Sequence, residues 1–286
     1  KNYETNIYEK VIINDFIFNS DSKFSENGFK NNYNLLIKNT NTDSKNSTKY
    51  KKDIDHDLLS IIELNSSYPL IKKNNNFDNI LKPKLSFKFS PNNTKDLKNE
   101  DRRIDINNIF SINRIGSNET VEGGASLTYG LEYLKIDKFD KEILGVKVAN
   151  ISRLKENNNL PRSSKLGNKT SDIVSSLSFN PNNFFNINYD MSLDSNLTET
   201  NYQMLETEFK VNNFITTFEY LNENNTANSE SYLANKTAYQ INDSKKISFE
   251  TRTNKKTKLT EFYNLIYQYR NDCLIAALEY NRDYYT

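Results

Sequence analysis

Tryptophan is absent from this chain, and cysteine and histidine occur once each, at Cys273 and His56. A metal site needs three or four clustered ligands, so one thiol and one imidazole leave little to build one from. His56 stands between Asp55 and Asp57, a setting that suits a general base, but no partner nucleophile recurs nearby and the residue reads as part of a solvated loop. Also missing is any apolar run near the roughly 20 residues that a membrane-crossing helix requires. Charge of one sign is no more abundant: 38 Lys and Arg stand against 37 Asp and Glu, for a net charge of +1. The lysines are dispersed among acids, which argues against nucleic acid as a partner. No signal-like apolar segment follows Lys1, so the chain reads as an internal fragment without its targeting sequence.

With only 36% hydrophobic residues the chain is too polar for a large dry core. Yet 12% aromatics and near-zero net charge do not fit a self-repelling disordered chain. A barrel with a wet lumen fits both, because half of every strand then faces water. The pattern agrees. Leu127, Tyr129, Leu131 and Tyr133 alternate with Ser126, Thr128, Gly130 and Glu132, the two-residue period of a strand with one apolar and one polar face. Leu85, Phe87 and Phe89 alternate with Lys84, Ser86, Lys88 and Ser90. Phe185 to Leu193 and Ile247 to Arg252 repeat the theme, and Leu274, Ala276, Leu278 and Tyr280 oppose Glu279, Asn281 and Asp283. The strand at 259–269 is mixed, with Glu261 on its apolar side. Residues 11–18 and 33–38 are strand-like, 39–55 read as a long polar loop, and Pro69 interrupts or edges any sheet.

Connections alternate in length. Those at 180–183, 211–213, 242–245 and 270–272 are short, and between them lie longer polar ones at 195–198, 222–230 and 254–257. Outer-membrane barrels have short periplasmic turns and longer outer loops, so the short set is assigned to the periplasm. The count is about 14 antiparallel strands, of lengths that suit a tilted membrane crossing. The fold read from this is all-β, part of a large antiparallel transmembrane barrel. Carboxylate pairs such as Glu206 and Glu208 simply share a strand face. Gly123-Gly124 precedes a strand rather than opening a helix, so it marks a bulge or close backbone approach and not a phosphate loop.

Asn99-Glu100-Asp101, then Asn108-Ile109-Phe110-Ser111-Ile112-Asn113-Arg114, then Val121-Glu122-Gly123-Gly124 and Tyr129-Gly130-Leu131 resemble the C-terminal half of the LptD family, lipopolysaccharide assembly proteins of the bacterial outer membrane. Where that family usually has an Asp-Arg pair before its Glu-x-Gly, this chain has Asn118, Glu119 and Thr120. The resemblance implies that residues 1–286 are the C-terminal portion of the barrel domain, without the N-terminal periplasmic domain and the last strand. It implies insertion of lipopolysaccharide into the outer leaflet, with no enzyme activity and no cofactor. The partners it implies are a plug lipoprotein of the LptE type, a periplasmic bridge protein of the LptA type reached through the N-terminal domain, and outer-membrane lipid. Lys84, Lys88, Lys246 and Arg252, on polar strand faces, are the candidate contacts to glycolipid phosphates. Cys273 resembles the family position that forms a disulfide to the periplasmic domain. The alternatives are a passive porin-like channel, a barrel enzyme such as a protease or lipase, for which His56 lacks a partner, and a soluble β-sandwich.

Overall fold

The computed structural model describes residues 6–50, 52–224 and 229–284. Lys1, Tyr285 and Thr286, and the centre of the loop expected at 222–230, lie outside the described residues. Among the described residues there are sixteen strands: β1 (Tyr8–Asn19), β2 (Lys23–Phe24), β3 (Lys30–Lys45), β4 (Asp55–Ser67), β5 (Leu70–Lys73), β6 (Phe77–Ser90), β7 (Gly124–Asp137) and β8 (Glu142–Arg153) come first. They are followed by β9 (Ile173–Phe179), β10 (Phe185–Leu193), β11 (Thr200–Val211), β12 (Phe214–Glu223), β13 (Ser231–Asn242), β14 (Lys245–Asn254), β15 (Thr260–Arg270) and β16 (Ile275–Asp283). Each of the long strands hydrogen-bonds to the next long strand in sequence, so 14 strands form one path and only the short β2 and β5 lie off it. This is a meander, the pattern that the alternating connections predict.

The chain forms two compact units. The first contains residues 1–69, 82–131 and 149–172, and within it β1, β3, β4 and the second half of β6 pair antiparallel. Its open face is the apolar one. On β4 Leu58, Ile62 and Leu64 are 67%, 50% and 53% exposed, and on β6 Leu85, Phe87 and Phe89 are exposed while Ser86, Lys88 and Ser90 are buried. A water-soluble sheet with one covered face shows the reverse. The apolar run at 58–64 has no clean period because Leu59 and Ile61, on the covered side, join a small core with Leu36 and Val121.

One sequence expectation fails here. Residues 39–45 belong to β3 rather than to a loop, and Thr40, Thr42 and Ser44 are buried. Asn39, Asn41 and Asp43 occupy the other side, so no apolar side marks the period. At its rise of about 3.3 Å per residue, β3 far exceeds the roughly 9–11 residues a membrane crossing needs, and its polar end continues past the apolar band. His56 pairs with Asn41 there, across β3 and β4, and is a strand residue whose ring Nδ1 lies 2.6 Å from the Asn41 Oδ1. Pro69 does end a strand, and β5 restarts at Leu70.

The second unit contains residues 70–81, 132–148 and 173–286, with β9 to β16 paired in order. Phe209, Phe214, Phe218, Tyr239, Phe249 and Leu265 are exposed along one side. Polar residues on that side are satisfied among themselves: the Thr216 and Thr237 hydroxyls lie 2.8 Å apart, Thr237 donates to Asn235 Oδ1, and Asn235 donates to Thr216 Oγ1. Mutual hydrogen bonding leaves these groups needing no outside partner on a face that is otherwise apolar. Residues 212–213 and 243–244 are two-residue turns, and in the first of them Asn212 adopts a left-handed conformation (φ 50°). The mixed character of β15 comes from a bulge. The register shifts at Arg252/Thr253, so Glu261 is the extra residue between Thr260 and Phe262, and it turns back to pair with Arg252.

Candidate functional site

Residues 91–123 and 154–172, both in the first unit, are coil and turn segments. They supply Leu97, Ile104, Ile109, Ile115, Val121, Leu160 and Leu166 as buried side chains. Val121 packs against Leu36, Leu59 and Ile61, with Ile112 beside them. A polar strand face is thus covered by the chain's own connections, and the covering is held by charge.

At its centre is Glu122, 2% exposed. Arg114 donates from Nε to Glu122 Oε2 (2.6 Å) and from Nη2 to Oε1 (2.5 Å), the paired geometry that suits a guanidinium and a carboxylate. Of the remaining Arg114 donors two reach the strand face, Nη1 to Thr128 Oγ1 (2.7 Å) and Nη2 to Ser126 Oγ (2.8 Å), and Nη1 also donates to the Ile109 carbonyl (3.3 Å). Arg153, from β8, donates to Glu122 and to the Gly123 carbonyl. Burial alone raises the Glu122 carboxyl, but Arg114, Lys88 and Arg153 outweigh it and hold the group down to about 2. A second anchor lies alongside. Lys88 donates to the Ser111 carbonyl (2.5 Å) and sits 3.6 Å from Glu63, which also accepts from Asn34 (2.8 Å), Asn65 (3.1 Å) and Ser86 (3.2 Å).

The glycine pair does two different things. A Cβ on Gly123 would lie 2.2 Å from the Asn92 carbonyl oxygen, while the Gly123 N–H donates to Thr94 Oγ1 (2.8 Å). Gly124 has φ +87°, a conformation that favours glycine. Gly123→Ala is therefore expected to lose about 1–3 kcal/mol by backbone overpacking, read as an earlier midpoint in a denaturant titration. Thr94 also ties the two connections together, since Asn157 donates to its hydroxyl (2.9 Å) and Asn159 to its carbonyl (3.0 Å).

The model of a protein family, described as LPS transport system D, matches residues 28–252. The chain belongs to the LptD family. It is accordingly an outer-membrane β-barrel protein of lipopolysaccharide transport and assembly, with lipopolysaccharide as the substrate and other members of that transport pathway as its partners. A search of curated proteins gave no match. Membership explains the inverted faces: the open apolar side meets lipid, and the polar side is the lumen.

Glu119 accepts from Lys49 Nζ (2.6 Å) and the Tyr50 hydroxyl (2.5 Å). Burial raises this carboxyl, and the hydrogen bonds from Lys49 and Tyr50 prevail and lower it.

The five residues singled out from the sequence fall in different settings. Lys88 is enclosed, 1% exposed, and its charge is engaged by Glu63. Lys84 holds its Nζ 5.6 Å from the Phe110 ring centroid and lines a recess with Lys30, Lys82, Asn32 and Asn65. Arg252 ion-pairs with Glu261 and Glu230 and stacks on Tyr232. Lys246 is exposed beside Arg270 in a recess of the second unit. Cys273 is a free, exposed thiol in the connection at 271–274. The residues missed from the sequence are Glu63, Arg114, Glu122 and Arg153. Arg114 and Glu122 lie within the motifs that carry the family resemblance, but nothing in their spacing shows that one binds the other.

Proposed function

We propose that this barrel domain is the outer-membrane translocon that passes lipopolysaccharide from the periplasmic bridge into the outer leaflet. The observation that carries the reading is the polar lumen face of an LptD-family sheet whose other face is apolar and open. Sugars and phosphates are solvated by that lumen while acyl chains reach lipid between strands. A plug lipoprotein of the LptE type and a bridge protein of the LptA type, engaged through a periplasmic domain upstream of this chain, are the partners of this reading. Lys84, Lys246 and Arg252 are its proposed glycolipid contacts, whereas Lys88, enclosed under the covering segment and engaged by Glu63, is the weakest of the four candidates and serves to hold that segment. Photocrosslinkers at the first three positions in living cells are expected to capture lipopolysaccharide. Absence of adducts at all three, together with free conductance of small solutes, would favour the passive channel instead.

The same reading assigns Cys273 a disulfide to that upstream domain. The thiol is exposed, and its connection belongs to the short set assigned to the periplasm, an oxidising compartment. Cys273→Ser is expected to change the mobility of the full-length protein on non-reducing gels, and a Cys273 that reacts fully with maleimide in the mature protein would rule the bond out.

A further inference from the structure

Most lumen cations of this chain are already engaged. Glu63 holds Lys88, Glu122 holds Arg114 and Arg153, and Glu261 and Glu230 hold Arg252. Lys246 and Arg270 differ: among the described residues neither makes an ion pair or a side-chain hydrogen bond. They line one recess of about 440 Å³ in the second unit, with Gln240, Gln268, Ser244 and Asp243. Asp243 stands on the turn and pairs with neither cation.

The register explains the grouping. Lys246 lies directly opposite Gln240 on β13 and Gln268 on β15, and residues facing each other in this way have Cβ atoms about 5 Å apart. Arg270 is two positions beyond Gln268, on the same face, so it is the diagonal neighbour of Lys246 at roughly 7–8 Å. Two long cationic side chains at that separation converge on one tetrahedral anion, the guanidinium by paired N–H donors and the ammonium as a point charge. Gln240 donates to the Asn242 carbonyl (2.6 Å) and the Lys245 carbonyl (3.2 Å), which fixes its amide and leaves its oxygen as an acceptor. Gln268 is uncommitted. The site therefore offers two cations for a phosphate and amide groups for neighbouring hydroxyls.

We propose that Lys246, Arg270, Gln240 and Gln268 form a docking site for the phosphate ester of a glycosyl headgroup. This rests on the transport reading, under which the headgroup belongs to the transported glycolipid, and the site would hold it at the short-turn end of the lumen.

The test uses the full-length protein in its native membrane, with a photocrosslinker at Ser244. Lipopolysaccharide adducts are expected in the parent, about tenfold fewer in Lys246→Gln/Arg270→Gln, and a retained level in Lys246→Arg/Arg270→Lys. Adducts undiminished in the double Gln variant would overturn the site and leave the transport reading standing. Adducts absent here and at every other lumen position would overturn that reading as well. In purified protein, glycolipid stripped of its phosphates should lose the Ser244 adduct, and equal crosslinking would overturn phosphate recognition. Protection of Lys246 from amine acylation by inorganic phosphate, without any glycolipid adduct, would overturn the headgroup as the source.

Discussion

Glu122→Ala is expected to cost about 3–5 kcal/mol, because it leaves two enclosed guanidiniums without their carboxylate. Arg114 and Arg153 are both buried, and neither has another acid within its hydrogen bonds. The Arg114 donors to Ser126 and Thr128 remain, but neutral hydroxyls do not offset a buried charge. Glu119→Ala is the control. In its pair the Lys49 side chain is 58% exposed and Glu119 23%, and pairs that reach solvent in this way contribute about 1 kcal/mol or less. Loss of compact, heat-modifiable gel mobility against urea reads both. The Glu122 carboxyl is held at about 2 in the folded chain, below its ordinary value of 4.5. Its stabilisation is therefore complete above about pH 5 and drains away as pH falls toward 2. The parent should lose stability across that window more steeply than Glu122→Ala, and equal slopes would show that Glu122 is not the ionised centre of the network.

The fold was legible wherever the two strand faces meet different surroundings. Phe185 to Leu193 alternates cleanly because lipid lies on one side and water on the other, and β10 has those bounds. Residues 39–45 were unreadable because polar residues stand on both sides of β3, and the run at 58–64 because apolar residues stand on both sides of β4. In each case a second influence cancels the period: an end of the strand beyond the apolar band, or a covering segment packed onto the lumen side. The site was less legible than the strands. Charge pairing between Arg114, Glu122 and Arg153 depends on how 91–123 folds back, and no periodicity records a turn of that kind. The lumen lysines were visible as a class, yet which of them are consumed by acids is fixed by register, as with Lys88 opposite Glu63 on β4.

Phe249→Arg tests the face assignment on which every lumen statement depends. Phe249 lies at the middle of β14, 37% exposed, directly opposite Thr237 and Leu265. Its ring stacks on Tyr263 at 6.1 Å between centroids. If that side meets hydrocarbon, an Arg there costs about 2–4 kcal/mol near the bilayer midplane, and the lost ring contact adds to it. Ser248→Arg, one residue earlier, puts the same charge on the opposite face, beside Glu250 and Lys246 on their shared side. There the guanidinium reaches lumen water, and the change should stay within about 0.5 kcal/mol. Because the two substitutions share a strand, a backbone register and a charge, helix or loop effects cannot separate them, and only the medium on each face can. Refolding into bilayers against urea measures the difference, and equal costs at 248 and 249 would mean that this sheet does not stand between lipid and water.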